Sequence, residues 1–123
     1  MANEIKLTVD MSVINGTFTD QFRPATIAID QGAIGRGGYV QIIDNALETA
    51  INFGDISTNG YCVLRNLDED NYVIWGPDWS SALITLGKLN PGEIAVFRVA
   101  PGVAIWALAD TAPVKLDVRI YED

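Results

Sequence analysis

Few residues in this chain have the types and spacing that chemistry requires. Asp68-Glu69-Asp70-Asn71 offers a run of oxygen ligands suited to calcium, but it lacks the spacing and closing bidentate glutamate of an EF-hand loop. Asp and Asn are also what turns use, so a turn between two strands is the expectation there. A pair among the sixteen acidic residues could in principle serve a glycosidase, yet most of them lie at turns or on wet strand faces and read as solubility. Gly35-Arg36-Gly37-Gly38 could cradle a phosphate with Arg36 as the pairing charge. It precedes a strand where phosphate loops precede a helix, and reads better as a surface loop that docks on a partner or simply connects. Trp75, Trp79 and Trp106, with Tyr72, could stack on sugar rings. Trp75 and Trp79 flank Gly76-Pro77-Asp78 and are expected near each other at an edge, as anchors of a protein interface rather than a sugar platform. Trp106 reads first as a core residue. Histidine is absent and Cys62 is the single thiol. Nucleophile-base pairs and cupin-type metal centres therefore cannot be assembled, and no catalytic residue, cofactor or metal is expected.

The elements that would carry these residues are strands. Gly60 to Gly76 reads as a β-hairpin, with Tyr61 to Leu67 and Tyr72 to Trp75 flanking the acidic connection. Residues 5 to 13 alternate, with Ile5, Leu7, Val9, Met11 and Val13 on one face, and predict one long strand turned by Asn15-Gly16. Ala25 to Asp30 and Tyr39 to Ile43 follow as strands around the glycine-rich loop Gly32 to Gly38. Asp44 to Phe53 is ambiguous: Asp44 could cap a helix with Ala46, Leu47, Ala50 and Ile51 at helical spacing, but the strand character of its end favours a strand. Ser81 to Leu86 is a further strand, and Lys88 to Gly92 a turn. Glu93 to Ala100 and Val103 to Ala109 read as a second hairpin about Pro101-Gly102, apolar on both faces. Val114, Leu116, Val118 and Ile120 alternate with Lys115, Asp117, Arg119 and Tyr121 in a last strand that mirrors the first. Roughly nine or ten short antiparallel strands without a major helix predict an all-β, jelly-roll-like β-sandwich.

At 123 residues and 49% hydrophobic composition, the chain is expected to form one domain, residues 1–123. Sixteen acidic against eight basic residues leave a net charge of −8, which argues against nucleic acid and anionic membranes as partners. No apolar run approaches the roughly 18 residues that span a bilayer, and the first residues hold no signal-type apolar segment. The expected product is soluble and made in the cytoplasm.

Arg65-Asn-Leu-Asp68, Asn71-Tyr-Val, Gly87-Lys-Leu-Asn-Pro-Gly-Glu93, Pro101-Gly102, Ala109-Asp-Thr-Ala and the terminal Tyr-Glu-Asp resemble small tailed-bacteriophage virion structural proteins, such as head decoration or cement proteins. The resemblance spans about residues 35 to 123, carries no active-site motif and implies a non-enzymatic role. It implies a β-sandwich on the capsid surface that binds the major capsid protein, often as a homotrimer. Unlike those decoration proteins, this chain shows no evident N-terminal arm, since residues 1 to 13 read as a strand. The alternative is a tail or fibre sandwich that binds host-surface carbohydrate. Because both faces of Glu93 to Ala109 are apolar, a second subunit is expected to cover one of them. Self-association is expected to use Phe97, Trp106 or the Trp75 to Trp79 turn, and the candidate interface residues are Arg36, Tyr72, Trp75, Trp79, Phe97 and Trp106.

Overall fold

The computed structural model describes residues 3–123, which form strands and turns and no helix. Where one domain was expected, contacts divide the chain into two compact units, Met1–Gly32 and Ala33–Asp123. The reason is local closure: every strand of the first unit pairs within that unit.

The first unit is a two-stranded ribbon. β1 (Ile5–Leu7) pairs with β4 (Ile27–Ile29), and β2 (Met11–Asn15) pairs with β3 (Phe18–Phe22) around a Gly16-Thr17 loop. Gly16 has the positive φ, 58°, that short hairpin loops need. The long strand expected over 5 to 13 is broken. Three residues, Thr8 to Asp10, face four, Arg23 to Thr26, so the register slips by one. Pro24, which has no N–H to give the ladder, sits in the slip. Arg23 Nε donates to Asp10 Oδ1 at 2.7 Å beside it.

The second unit is a sandwich of two antiparallel sheets. Its strands are β5 (Arg36–Gly37), β6 (Val40–Ile43), β7 (Thr49–Ala50), β8 (Asn59–Asn66), β9 (Val73–Trp79), β10 (Ala82–Leu83), β11 (Gly87–Leu89), β12 (Ile94–Arg98), β13 (Ile105–Ala109) and β14 (Val114–Glu122). One sheet runs β12-β8-β14, with β5 and β6 both on the far side of β14. The other runs β10-β9-β13-β7, with β11 also on β9. Without the short β5 and β10, the paired orders are β6-β14-β8-β12 and β7-β13-β9-β11, and the chain changes sheet at most of its connections. This is a double-sheet jelly roll, the architecture expected from the strand pattern, though these eight are part of fourteen described strands where roughly nine or ten were expected.

That topology corrects several local expectations. Tyr61–Leu67 and Tyr72–Trp75 do not form a hairpin, since β8 and β9 lie in opposite sheets. The connection is a corner clamped by the fully buried Asn66. Its Nδ2 donates to the carbonyls of Asn71 (2.9 Å) and Leu89 (3.0 Å), and its Oδ1 accepts from Asp68 N–H (2.9 Å). β12 and β13 likewise split between the sheets, with β12 on β8 and β13 between β9 and β7, so Pro101-Gly102 turns a crossover. Gly76-Pro77-Asp78 is not a turn but part of β9. The strand expected over Ser81 to Leu86 shrinks to β10, and Lys88 and Leu89, expected to open the turn Lys88 to Gly92, belong to β11 on β9. The last strand, expected to mirror the first, is central in its sheet, since β14 lies between β8 and β6, whereas the first pairs only within residues 3–32. Asp44–Phe53 holds only the two-residue β7, and Asp44 Oδ1 accepts Ala46 N–H in a turn rather than capping a helix.

The core lies between the sheets. Ile43, Leu64, Leu116, Val118 and Ile120 come from one sheet, and Val73, Trp75, Leu89, Ile105 and Ala107 from the other. Each large apolar side chain removed from water contributes about 1.5–3 kcal/mol. Gly87 lies opposite Trp75, and a Cβ there would collide with the indole, so the glycine makes room for the ring.

Candidate functional site

The sequence-derived interface residues do not converge. Trp75 is buried (8% exposed) and stacks on Phe97 with centroids 4.7 Å apart at 11°. The pair closes one side of an apolar cavity of about 260 Å³, lined also by Val99, Val103 and Ile105. These two residues hold the sheets together and are not surface anchors, because alternation along β9 and β12 points both inward. Trp79, four residues along β9, is 74% exposed. At about 3.3 Å per residue it stands roughly 13 Å from Trp75. Trp106 is half-buried on the outward side of β13, since Ile105 and Ala107 take the core positions. It lines a shallow depression with Ala46, Leu47, Glu48 and Ser81. One Glu48 oxygen there accepts Leu83 N–H at 2.6 Å.

Tyr72 lies at the opposite end of β9. Lys88 Nζ sits 4.3 Å from its ring centroid, and the Asp110 carboxylate beside it raises the phenol above the ordinary tyrosine range. The acidic loop beside it is internally committed. Asp68 accepts N–H groups from Asn71 (2.6 Å) and Asp70 (3.0 Å), which lowers its carboxyl below the usual value. Thr111 Oγ1 donates to Asn71 Oδ1 (2.7 Å) and Asn45 Nδ2 to Thr111 O (3.0 Å), tying this loop to the Asp44 and Asp110 turns. Cys62 is fully buried, and desolvation pushes its thiol up to about 12.

Arg36 is exposed on β5, and the glycine-rich segment expected as a free loop is docked there on β14, with Arg36 opposite Tyr121 and Gly37 opposite Ile120. Side chains at 37 or 38 would strike the carbonyls of Phe53 and Val118, so the glycines permit this docking. Arg36 belongs to a surface that sequence reasoning missed. Arg65 on β8, Arg98 on β12, and Lys115 and Arg119 on β14 share its sheet, and their alternation with buried neighbours turns all of them outward. Arg65 lies directly across from Asp117, Arg98 Nη1 reaches Asp123 Oδ1 at 3.1 Å, and Arg119 Nη2 is 3.5 Å from Asp117 Oδ2. The Arg98 guanidinium also covers the Tyr61 ring at 4.7 Å. Val63, Ile94 and Val96 fill the spaces between the charges.

A further exposed feature is the β2–β3 hairpin, none of whose strand residues is buried. Met11 faces Phe22, Val13 faces Asp20 and Asn15 faces Phe18 across one side of the ribbon. Met11, Phe18 and Phe22 are 55%, 60% and 55% exposed. Comparison with protein-family models, with curated proteins and with solved structures gives no match.

Proposed function

We propose that this chain is a non-enzymatic structural protein of a tailed-phage virion, a decoration or cement protein that stabilises the capsid by binding the major capsid protein and that self-associates, as a homotrimer. The observation that carries the reading is the β2–β3 hairpin. A two-stranded ribbon alone is marginal in water, and this one presents Met11, Val13, Phe18 and Phe22 on a single face. Such a face gains stability only by being covered, which suits a protein whose working state is bound to a large surface. The jelly roll agrees with a capsid role by fold-level analogy alone, since lectins and cupins share the architecture. The test is purification of intact particles. The chain is expected in heads, in proportion to the major capsid protein, and Phe18→Asp with Phe22→Asp is expected to empty it from them. Its recovery only with tails, or its absence from particles, would overturn the assignment.

A second reading, a tail or fibre module that binds carbohydrate, draws on the exposed Trp79 and on Trp106 beside Glu48 and Ser81. A glycan array decides it: binding of a defined sugar that Trp79→Ala abolishes would favour this reading over the capsid one.

A further inference from the structure

We propose that copies of this chain dock head to tail, the basic outer face of the β12-β8-β14 sheet in one copy receiving the acidic loop end of the next. The charge within residues 33–123 is segregated. Six basic residues (36, 65, 88, 98, 115 and 119) stand against twelve acidic ones, a net of −6. Five of the six basic residues lie on this one sheet face. Counting Asp117 and the Asp123 that pairs with Arg98, the face carries 5 − 2 = +3, and the remainder of the unit −6 − 3 = −9. Arg36, Arg65 and Lys115 have no ion-pair partner among the described residues. The complement is on the same molecule. Asp44, Asp68, Glu69, Asp70 and Asp110 gather where the Asn45–Thr111–Asn71 hydrogen bonds join three turns, with Lys88 over Tyr72 beside them and Lys115, whose carbonyl accepts Leu67 N–H, where this end meets the basic face. None of these five carboxylates is in an ion pair among the described residues.

A second copy suits this face better than a polyphosphate does. The net charge of −8 opposes the approach of nucleic acid, whereas a protein surface brings localised carboxylates and apolar groups that match Val63, Ile94 and Val96 between the cations. Different surfaces meet in such a contact, so it is heterologous, and it closes into a ring or runs on as a filament according to the rotation between copies. The face spans four strand positions, about 19 Å by 18 Å, or roughly 350 Å², from ordinary strand spacings. That is well under the roughly 800 Å² per partner of a stable interface, so the contact is weak, micromolar and salt-sensitive. The inference gives surfaces to the self-association proposed above and does not depend on what the assembly attaches to. It rests on that self-association: loss of capsid attachment leaves the inference standing, association indifferent to both variants removes these surfaces alone, and a monomer under all conditions removes the self-association with them.

The experiment is sedimentation of the full chain at about 10 to 300 µM in roughly 0.05 M and 0.5 M NaCl. Association is expected to weaken at least about tenfold between the two salts. The face variant R65E/R119E and the end variant E69K/D70K, which spares Asp68, are each expected to sediment as monomers. Mixing R65Q/R119Q with E69Q/D70N, which leaves one contact charged and the other neutral, is expected to give a heterodimer that grows no further. If charge reversal perturbs folding by circular dichroism, R65Q/R119Q replaces the face variant. A monomer at every concentration and salt overturns the proposal, as does association indifferent to both variants. So does retention of a labelled DNA duplex by the wild type and not by the face variant, which would assign the face to nucleic acid.

Discussion

Asn66 is the side chain on which most depends locally, because it satisfies three backbone groups at the corner where the chain leaves one sheet for the other. Asn66→Leu keeps the volume but strands two carbonyls and an N–H in the interior. Urea denaturation is expected to show a loss of about 2–4 kcal/mol. Asp68 sets a pH dependence. Its folded pKa is depressed by N–H donors from Asn71 and Asp70, so its contribution is present above the unfolded value, near 4, and is lost as pH falls through the folded pKa. Asp68→Asn retains the acceptor without the charge. The stability gap between it and the wild type is expected to be constant from about pH 5 to 8 and to close below about pH 4 in thermal melts. Cys62, with its thiol pushed up to about 12 inside the core, is expected to ignore a thiol reagent at pH 8 until denaturant is added.

Among the elements, the β9–β10 hairpin stores backbone strain. Its two-residue loop, Ser80-Ser81, has φ of 52° and 63°, in the left-handed region that serine adopts at a cost. Ser80→Asn with Ser81→Gly supplies the residues this loop geometry favours and is expected to stabilise by about 1 kcal/mol. Gly76→Ala has the opposite sign, since its Cβ would meet the Ile84 carbonyl. What the chain revealed of these elements was parity. The alternation of Val114 to Tyr121 and the apolar runs at Tyr61 and Ile105 gave the strands and the sandwich class. Parity names the face a residue points to, not the strand beside it, and a connection of six residues such as Leu67 to Tyr72 serves a hairpin or a crossover equally. Hence the sequence alone joins β8 to β9, and it offers Trp75 and Phe97 as surface residues although both face the core. The basic face was illegible for the same reason. Arg36, Arg65, Arg98 and Arg119 lie far apart in the chain and meet only through strand pairing.

For the whole molecule, the core cluster is drawn entirely from residues between Ile43 and Ile120. Residues 33–123 expressed alone are therefore expected to melt cooperatively near the full-length temperature, while losing any binding that belongs to the hairpin. The position of β14 reaches into the order of events during synthesis. It follows every other described strand of its sheet in chain order and lies in the middle of that sheet, between β8 and β6. Until it leaves the ribosome, those two have an empty slot between them, and β8 presents an unpaired row of amides and carbonyls to whatever is near. Closure of this sheet must wait until β14 is free to pair, and pairings so distant in sequence close slowly. A chain stopped at Pro113 is expected to aggregate rather than fold, and a peptide of residues 114–123 supplied in trans should compete for the vacant slot and rescue solubility.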